Sequence, residues 1–279
     1  MLPKHILFPI YAILFISRCF AGDNNSPVGA RAAGIAGASV GLADVWSVYT
    51  NQAGLTKLNT FTAGVCYEQR FALKELSLKS IALALPLKQG VFACSLASFG
   101  FELYRENSYG IAFAKKLGNN FSTGVKLNYY SFKLAEGFNT TNLLGAEAGI
   151  QAEVIKGLNI AAQIGTISSS NNSNTISNRI YLPHQLSVGV LYQFSEKIFI
   201  ALQTDKNLSQ KAIFKIGVEY AVLKTLYLRA GIATNPTLSA FGMGFYLKNI
   251  SIDFAFSMHQ TLGYTPQIGM LYNTPKRSS

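Results

Sequence analysis

From Thr60 onward the sequence repeats one pattern, in which apolar side chains alternate with polar or small ones and a turn follows. Phe214 and Ile216, for example, alternate with Lys215 and Gly217. Because successive side chains of a strand point to opposite faces, each stretch presents one apolar and one polar face. The pattern therefore predicts a β-sheet that separates two different environments.

The stretches number fourteen, and an even number is the rule for single-chain barrels of bacterial outer membranes. They cover residues 60–67, 76–87, 90–101, 109–116, 120–133, 142–155, 158–167, 184–193, 198–206, 211–222, 226–234, 238–247, 250–257 and 265–272. Short connections (88–89, 117–119, 156–157, 195–197, 223–225 and 248–249) alternate with longer, more polar ones (68–75, 102–108, 134–141, 168–183 and 258–264). Such alternation is typical of barrels with short periplasmic turns and long external loops. We therefore predict an all-β fold, a 14-stranded antiparallel transmembrane β-barrel over residues 60–272.

The composition agrees with a surface that faces lipid. Charged residues make up 13% of the chain, against about 25% in a typical soluble domain. After residue 21 no apolar run approaches the roughly 20 residues of a spanning helix. The net charge is +11, or +9 without the two basic residues Lys4 and Arg18 of the leader. The basic residues are scattered along the sequence, which favours contact with anionic lipid headgroups over nucleic acid.

Residues 1–21 have the organisation of a cleavable signal peptide. Lys4 and His5 precede an apolar core over 6–16, and the small residue Ala21 stands before Gly22. A membrane anchor is disfavoured because the apolar core is short, and a lipoprotein at Cys19 is disfavoured by the preceding Arg18. With the barrel pattern, this predicts export to the outer membrane of a Gram-negative bacterium.

Residues 22–59 do not follow the strand pattern. They are rich in glycine and alanine from Gly29 to Asp44 and continue through Trp46 to Asn51 and Leu55. A phosphate-binding glycine loop is excluded by context, since no strand precedes the glycines and no βαβ unit follows. The segment resembles the N-terminal region of the FadL superfamily of outer-membrane proteins, and more specifically its PorV/PorQ-like branch in Bacteroidetes. The residues that carry the resemblance are Gly29, Arg31, Gly34, Gly37, Asp44, Trp46, Asn51, Gly54 and Leu55. The sequence departs from the family pattern at Gln52, where proline is usual, and at Val45, where a second acidic residue is common.

The resemblance implies that residues 22–59 fold into the barrel as a plug, and that 273–279 form a tail after the last strand. Physical chemistry points the same way, since a barrel of fourteen strands is too wide to be filled by its own side chains. Small residues allow the backbone to pack closely inside such a lumen. The alternative, a disordered leader, is disfavoured by Trp46, Tyr49 and Leu55.

Strand alternation also predicts which charges face the lumen, namely Lys126, Glu147, Glu153, Lys215, Glu219, Arg229 and Asp253. Two interpretations stay open: these charges guide solutes, or they form salt bridges with the plug or stand in a wet lumen. No nucleophile, metal or cofactor motif occurs. His184 and Ser187 lie three apart, so they face opposite sides of a strand and cannot form a dyad. We predict a protein that is not an enzyme and binds no cofactor or metal.

Three functions fit these observations. The first is a PorV/PorQ-like accessory barrel with secretion-system proteins as partners, for type IX-like secretion or surface attachment of exported proteins. The second is a FadL-like transporter of long-chain fatty acids or other small hydrophobic compounds. This function needs an apolar pocket between plug and wall, which the polar inward faces disfavour. The third, a general diffusion pore, is disfavoured by a plug. The sequence alone favours the accessory barrel.

Overall fold

The computed structural model describes residues 27–134, 140–168, 185–207 and 210–275. Fourteen strands lie in this part of the chain: β1 Thr62–Gln69, β2 Ser77–Leu87, β3 Gly90–Phe101, β4 Tyr104–Lys116, β5 Phe121–Leu134, β6 Thr141–Ile155, β7 Leu158–Ser168, β8 Gln185–Ser195, β9 Ile198–Asn207, β10 Ile213–Leu223, β11 Leu226–Ala233, β12 Leu238–Leu247, β13 Ile250–His259 and β14 Gly263–Asn273. Each strand pairs antiparallel with its neighbours in sequence, and β1 pairs with β14. The sheet is therefore a closed barrel, and the predicted 14-stranded all-β fold is confirmed.

Short helical elements precede the barrel and follow β1. They are α1 Ala30–Gly34, α2 Ser47–Thr50 and three 3-10 turns, Gln52–Lys57, Arg70–Ala72 and Lys74–Leu76. Within the described residues, no helix has the length and hydropathy needed to cross a bilayer. The predicted signal peptide, residues 1–21, lies outside the described residues, as do residues 169–184 of the longest link and the end of the tail.

Two predicted long links are wrong, because the strands continue through them. Residues 102–108 were expected to form a loop, yet β4 begins at Tyr104, which pairs with Phe101 across a two-residue turn. The polar run from Arg105 to Ser108 lacks the apolar alternation of a lipid-facing strand, but its backbone still hydrogen-bonds to β3 and β5. The link 258–264 shortens to residues 260–262 in the same way.

The two ends of the barrel remain distinct. The connections that follow even-numbered strands have two to four residues and share what we call the short-turn end, because antiparallel neighbours reverse direction at each turn. The other connections include the longer ones and lie at the opposite, long-loop end. This geometry makes the short-turn end the periplasmic one in the usual orientation of such barrels.

The barrel wall reverses the surface pattern of a soluble protein. On β5, Val125 and Leu127 are 54% and 62% exposed, whereas Lys126 between them is 4% exposed. The same alternation runs through β10 and β13, where Phe214 and Phe254 face outward and Glu219 and Asp253 face inward. Outward apolar side chains fit a lipid environment, and polar side chains are left to line the lumen.

Residues 27–59, which we call the lumenal segment, lie against the inward face of the barrel. Helix α1 packs on β11 to β14, and the 3-10 turn over Gln52–Lys57 packs on β3 to β6. Ile35, Val45, Val48 and Leu55 are fully buried in these contacts. The segment therefore crosses the lumen from one side of the wall to the other.

Candidate functional site: the lumen and the segment inside it

Arg31 joins the lumenal segment to the barrel wall. Its guanidinium donates two parallel hydrogen bonds to Glu219 on β10, with Nε–Oε2 at 2.8 Å and Nη2–Oε1 at 2.7 Å. A third contact, 3.3 Å from Nη1, reaches Asp44 within the segment. Two-pronged arginine–carboxylate pairs fix orientation as well as distance. Arg31 thus holds α1 in one position against β10.

Arg229 on β11 extends this contact into a row of charges. Its Nε and Nη1 lie 2.6 Å from carboxylate oxygens of Glu219 and Asp253, and Nη2 donates to the Tyr246 hydroxyl at 3.1 Å. The row therefore alternates in charge in the order Asp44, Arg31, Glu219, Arg229, Asp253. Because Arg229 and Asp253 are buried, each carboxylate and guanidinium depends on its neighbours for solvation.

The other predicted lumen charges also have partners. Lys126 lies 3.7 Å from Glu147, whose carboxylate accepts hydrogen bonds from Asn128 and from Gln52 of the segment. Lys215 pairs with Asp205 at 2.6 Å. Glu153 stands near the short-turn end, where it contacts Lys57 of the segment at 3.4 Å and is partly exposed. Of these three ion pairs, only that of Glu153 with Lys57 joins the wall to the segment, whereas the other two join neighbouring strands of the wall.

Several lumenal partners were not singled out from the sequence. Gln52, at the position where the family usually has proline, donates to Glu147 at 2.7 Å. Gln203 accepts a hydrogen bond from the backbone of Val40 and donates to Asp205. Strand alternation could have predicted Asp205, since it lies two residues after Gln203 on β9 and therefore on the same inward face. Nothing in the sequence indicated that Gln52 would replace a proline with a hydrogen bond to the wall.

Glycines of the segment lie where the backbone approaches other atoms closely. Gly29 has φ +101°, and a Cβ there would lie 2.7 Å from the Trp46 ring. A Cβ on Gly34 would lie 3.1 Å from the Cα of Gly242 on the wall. Gly37 adjoins Lys215, and a Cβ at Gly54 would meet the backbone oxygen of Leu42. The predicted motif residues are thus those whose size sets the fit of the segment.

Tyr49 fastens the segment to the opposite wall. Its hydroxyl oxygen lies 2.8 Å from the backbone oxygen of Ile81 on β2 and 2.7 Å from that of Leu96 on β3, so its one proton is shared between two acceptors. Burial raises the pKa of the Tyr49 phenol, so the hydroxyl keeps the proton that it donates. The ammonium of Lys126 stands 4.9 Å from the ring centre.

Asn51 of the predicted motif makes three side-chain hydrogen bonds. Its side chain donates to the backbone oxygens of Val40 and Ile150 at 2.9 and 3.0 Å, and accepts from the Ala53 backbone. Replacing Asn51 with alanine is expected to reduce the free energy of unfolding by about 2–3 kcal/mol, because buried backbone groups lose their partners. Urea unfolding in detergent micelles measures this change. Asn119→Ala, at an exposed turn, should leave stability unchanged, and equal losses for both variants would contradict the argument.

A cavity of about 230 Å³ opens above the segment, in the long-loop half of the lumen. Its apolar and aromatic lining residues on β2, β3 and β5 are Leu78, Ala97, Phe99 and Phe132, and Glu106, Lys126 and Asn128 line the same side. The facing wall is polar and is formed by Gln163, Ser187, Gln203, Asp205 and Lys215. Gly37, Ser39, Val40, Tyr49 and Thr50 of the lumenal segment also line it. A space of this size with a mixed lining suits a small ligand that carries both apolar and polar groups.

The described residues hold no group of three or more His, Cys, Asp and Glu side chains arranged to bind a metal ion. Ser187 lines the cavity and accepts a hydrogen bond from Gln185, while His184 lies outside the described residues. His259 accepts backbone hydrogen bonds from Thr261 and Leu262 in the turn before β14.

The barrel and its lumenal segment define a closed 14-stranded barrel of the outer-membrane type. No protein-family model matches the sequence, and no curated protein matches it. Solved structures are similar in fold. The toluene transporter TbuX of Ralstonia pickettii has 14% identity and a TM-score of 0.64, covering 90% of this chain and 100% of that one. The toluene transporter TodX of P. putida has 13% identity and a TM-score of 0.66, covering 90% and 99%. A FadL homologue of Pseudomonas aeruginosa has 12% identity and a TM-score of 0.64, covering 88% and 98%. The chain thus shares the barrel fold of FadL-type outer-membrane proteins.

Proposed function

We propose that this protein is an outer-membrane channel, without enzymatic activity, for small compounds that are largely hydrophobic. After export directed by residues 1–21, the barrel lies in the outer membrane with its lumenal segment as a plug. The observation that carries the proposal is the cavity above the segment, whose apolar lining residues include Phe99, Phe132 and Leu78. The similar structures are described as toluene transporters and a FadL homologue, which supports the same class of solute. The proposal therefore places the channel ahead of the accessory barrel, which the sequence alone favoured.

The lumenal segment gives the proposed channel a closed state. Lys215 lines the cavity, and Glu219 lies four residues further along β10 toward the short-turn end. The row of ion pairs from Asp44 to Asp253 therefore joins the segment to the wall between β10 and β13, on the short-turn side of the cavity. A compound bound in the cavity leaves either through a displaced segment or through the wall.

A phenylalanine at position 187 tests the proposal, because Ser187 is buried at the cavity surface. Purified protein is incubated with toluene, passed through a desalting column, and analysed for retained hydrocarbon by gas chromatography with mass spectrometry. We expect the wild type to retain toluene and Ser187→Phe to retain about tenfold less, equivalent to about 1.4 kcal/mol of binding. Leu73→Phe adds a ring on an exposed loop and should bind like the wild type. Equal retention by all three proteins would contradict a ligand site in the cavity.

A second candidate is the PorV/PorQ-like accessory barrel, in which the segment stays in place and surface partners do the work. The ion pairs that tie Arg31 and Lys57 to the wall favour it, because a fixed segment suits a scaffold better than a channel. Purification from native membranes in mild detergent separates the two functions. A large exported or secretion protein at fixed stoichiometry, with no bound hydrophobic compound, would favour the accessory role.

A further inference from the structure

Lysines occur at every connection of the short-turn end. Each of the six turns contains or adjoins one: Lys88, Lys116, Lys156, Lys197, Lys224 and Lys248. All six are exposed, and exposed Lys115 lies at the same end. We call these seven residues the lysine ring. In the sequence they are far apart, and the reversal of direction at each turn brings them to one end of the barrel.

Acidic residues scarcely balance the lysine ring. At the short-turn end of the described chain, Glu153 pairs with Lys57 and Glu196 precedes Lys197, which leaves an excess of six positive charges. The long-loop end differs, because acidic and basic residues alternate there. Glu75 follows Lys74, Glu106 follows Arg105, and Asp205 precedes Lys206. The positive potential is therefore concentrated at one end.

The lysines also lie at the edge of the apolar belt. Leu87, Ile155, Leu223 and Leu247 directly precede Lys88, Lys156, Lys224 and Lys248, and Leu117 follows Lys116. These five apolar side chains are about half exposed on the outside of the barrel. A phospholipid carries its phosphate directly above its acyl chains. The apolar side chain can therefore contact the acyl chains while the ammonium of the adjacent lysine contacts the phosphate. A soluble anionic partner would contact the ammonium groups without needing the apolar belt.

We propose that the lysine ring binds the phosphates of anionic phospholipids in the leaflet that meets the short turns. The binding orients the barrel in the membrane and enriches anionic lipid around its periplasmic rim. Each lysine near an anionic surface favours association roughly fivefold, so several acting together select anionic over zwitterionic lipid. The inference rests on the barrel spanning a bilayer and is independent of what passes through the lumen.

Retained lipid measures the selectivity. The full barrel is reconstituted in vesicles of equal parts phosphatidylglycerol and phosphatidylcholine, extracted in mild detergent, and analysed by native mass spectrometry for bound lipid. We expect several-fold more phosphatidylglycerol than phosphatidylcholine on the wild type. The variant Lys88→Gln/Lys156→Gln/Lys224→Gln/Lys248→Gln should lose most of this preference, and 0.5 M salt, about the concentration at which surface charges are strongly screened, should weaken it in the wild type.

A matched variant removes the same charge from the other end: Lys74→Gln/Lys79→Gln/Lys133→Gln/Lys211→Gln, all exposed near the long loops. We expect this variant to keep the wild-type preference. Circular dichroism of both variants verifies that the barrel is folded. The proposal is overturned if the two variants lose phosphatidylglycerol equally, if neither loses it, or if the wild type shows no preference. Binding to isolated cell-wall sacculi is measured as well. If only the first variant loses this binding and its lipid preference is intact, the ring contacts the cell wall and the proposal is overturned.

Discussion

Replacing Arg229 with methionine is expected to reduce the free energy of unfolding by about 3–5 kcal/mol, the usual cost of removing one partner of a buried ion pair. The guanidinium of Arg229 lies between Glu219 and Asp253, and Asp253 is 1% exposed. After the change, Glu219 keeps Arg31 but Asp253 loses its guanidinium. Urea unfolding of the protein in phospholipid vesicles, followed by circular dichroism, gives the difference.

Lys57→Met is the matched control for this prediction, because it also removes a cation that pairs with a lumenal carboxylate. The pair of Lys57 and Glu153 is 3.4 Å long, with side chains 44% and 34% exposed, so its loss should cost less than about 1 kcal/mol. Adding Asp253→Asn to Arg229→Met should recover part of the stability, since it removes the unpaired charge. Equal costs for Arg229→Met and Lys57→Met would show that the buried row stabilises no more than an exposed pair.

Replacing Gly231 with alanine is expected to displace the lumenal segment from the wall. A Cβ at Gly231 would meet the backbone at Ile35 and would lie 2.7 Å from the nitrogen of Ala36, so the segment itself has to move. Overpacking of this kind costs about 1–3 kcal/mol. Trp46, the single tryptophan of the chain, is 2% exposed in the segment and reports its position. We expect a red shift of its fluorescence emission together with the loss of stability.

Gly269→Ala provides the control, since Gly269 lies on the same inward wall against the same segment. There a Cβ would lie 3.6 Å from atoms of Ala30, which is ordinary van der Waals contact. Stability should stay the same or rise by up to about 1 kcal/mol, because glycine in a strand has more conformational freedom to lose. The Trp46 emission should not shift. A similar red shift in both variants, or in neither, would be evidence against the close packing at Gly231.

The barrel could be predicted from the sequence because its physical cause is local. In a strand between lipid and lumen, apolar and polar side chains have to alternate. The faces on which Phe214, Lys215 and Ile216 lie can therefore be predicted without knowledge of any contact. Where the strands leave the lipid, this constraint ends. The run from Arg105 to Ser108 has no apolar face, so it resembled a loop, although its backbone continues the ladder.

The site could be predicted only in part, for the same reason. Strand parity places Glu219, Arg229 and Asp253 in the lumen, but it does not say which segment meets them. The pairing of Arg31 with Glu219 joins residues 188 positions apart, and no local pattern encodes such a distance. The lysine ring was equally hidden, because lysines that are scattered in the sequence become neighbours only when the sheet closes.

The distance in sequence between α1 and the strands that it contacts also has a consequence for assembly. The segment precedes every strand of the described chain, yet α1 rests on β11 to β14, the last strands of the barrel. During synthesis and export, these contacts cannot form until the C-terminal hairpins arrive, and such long-range contacts slow folding. A chaperone that shields the glycine-rich stretch over this interval would protect it from aggregation. Chains truncated before β11 would keep the segment but lack the strands on which α1 docks.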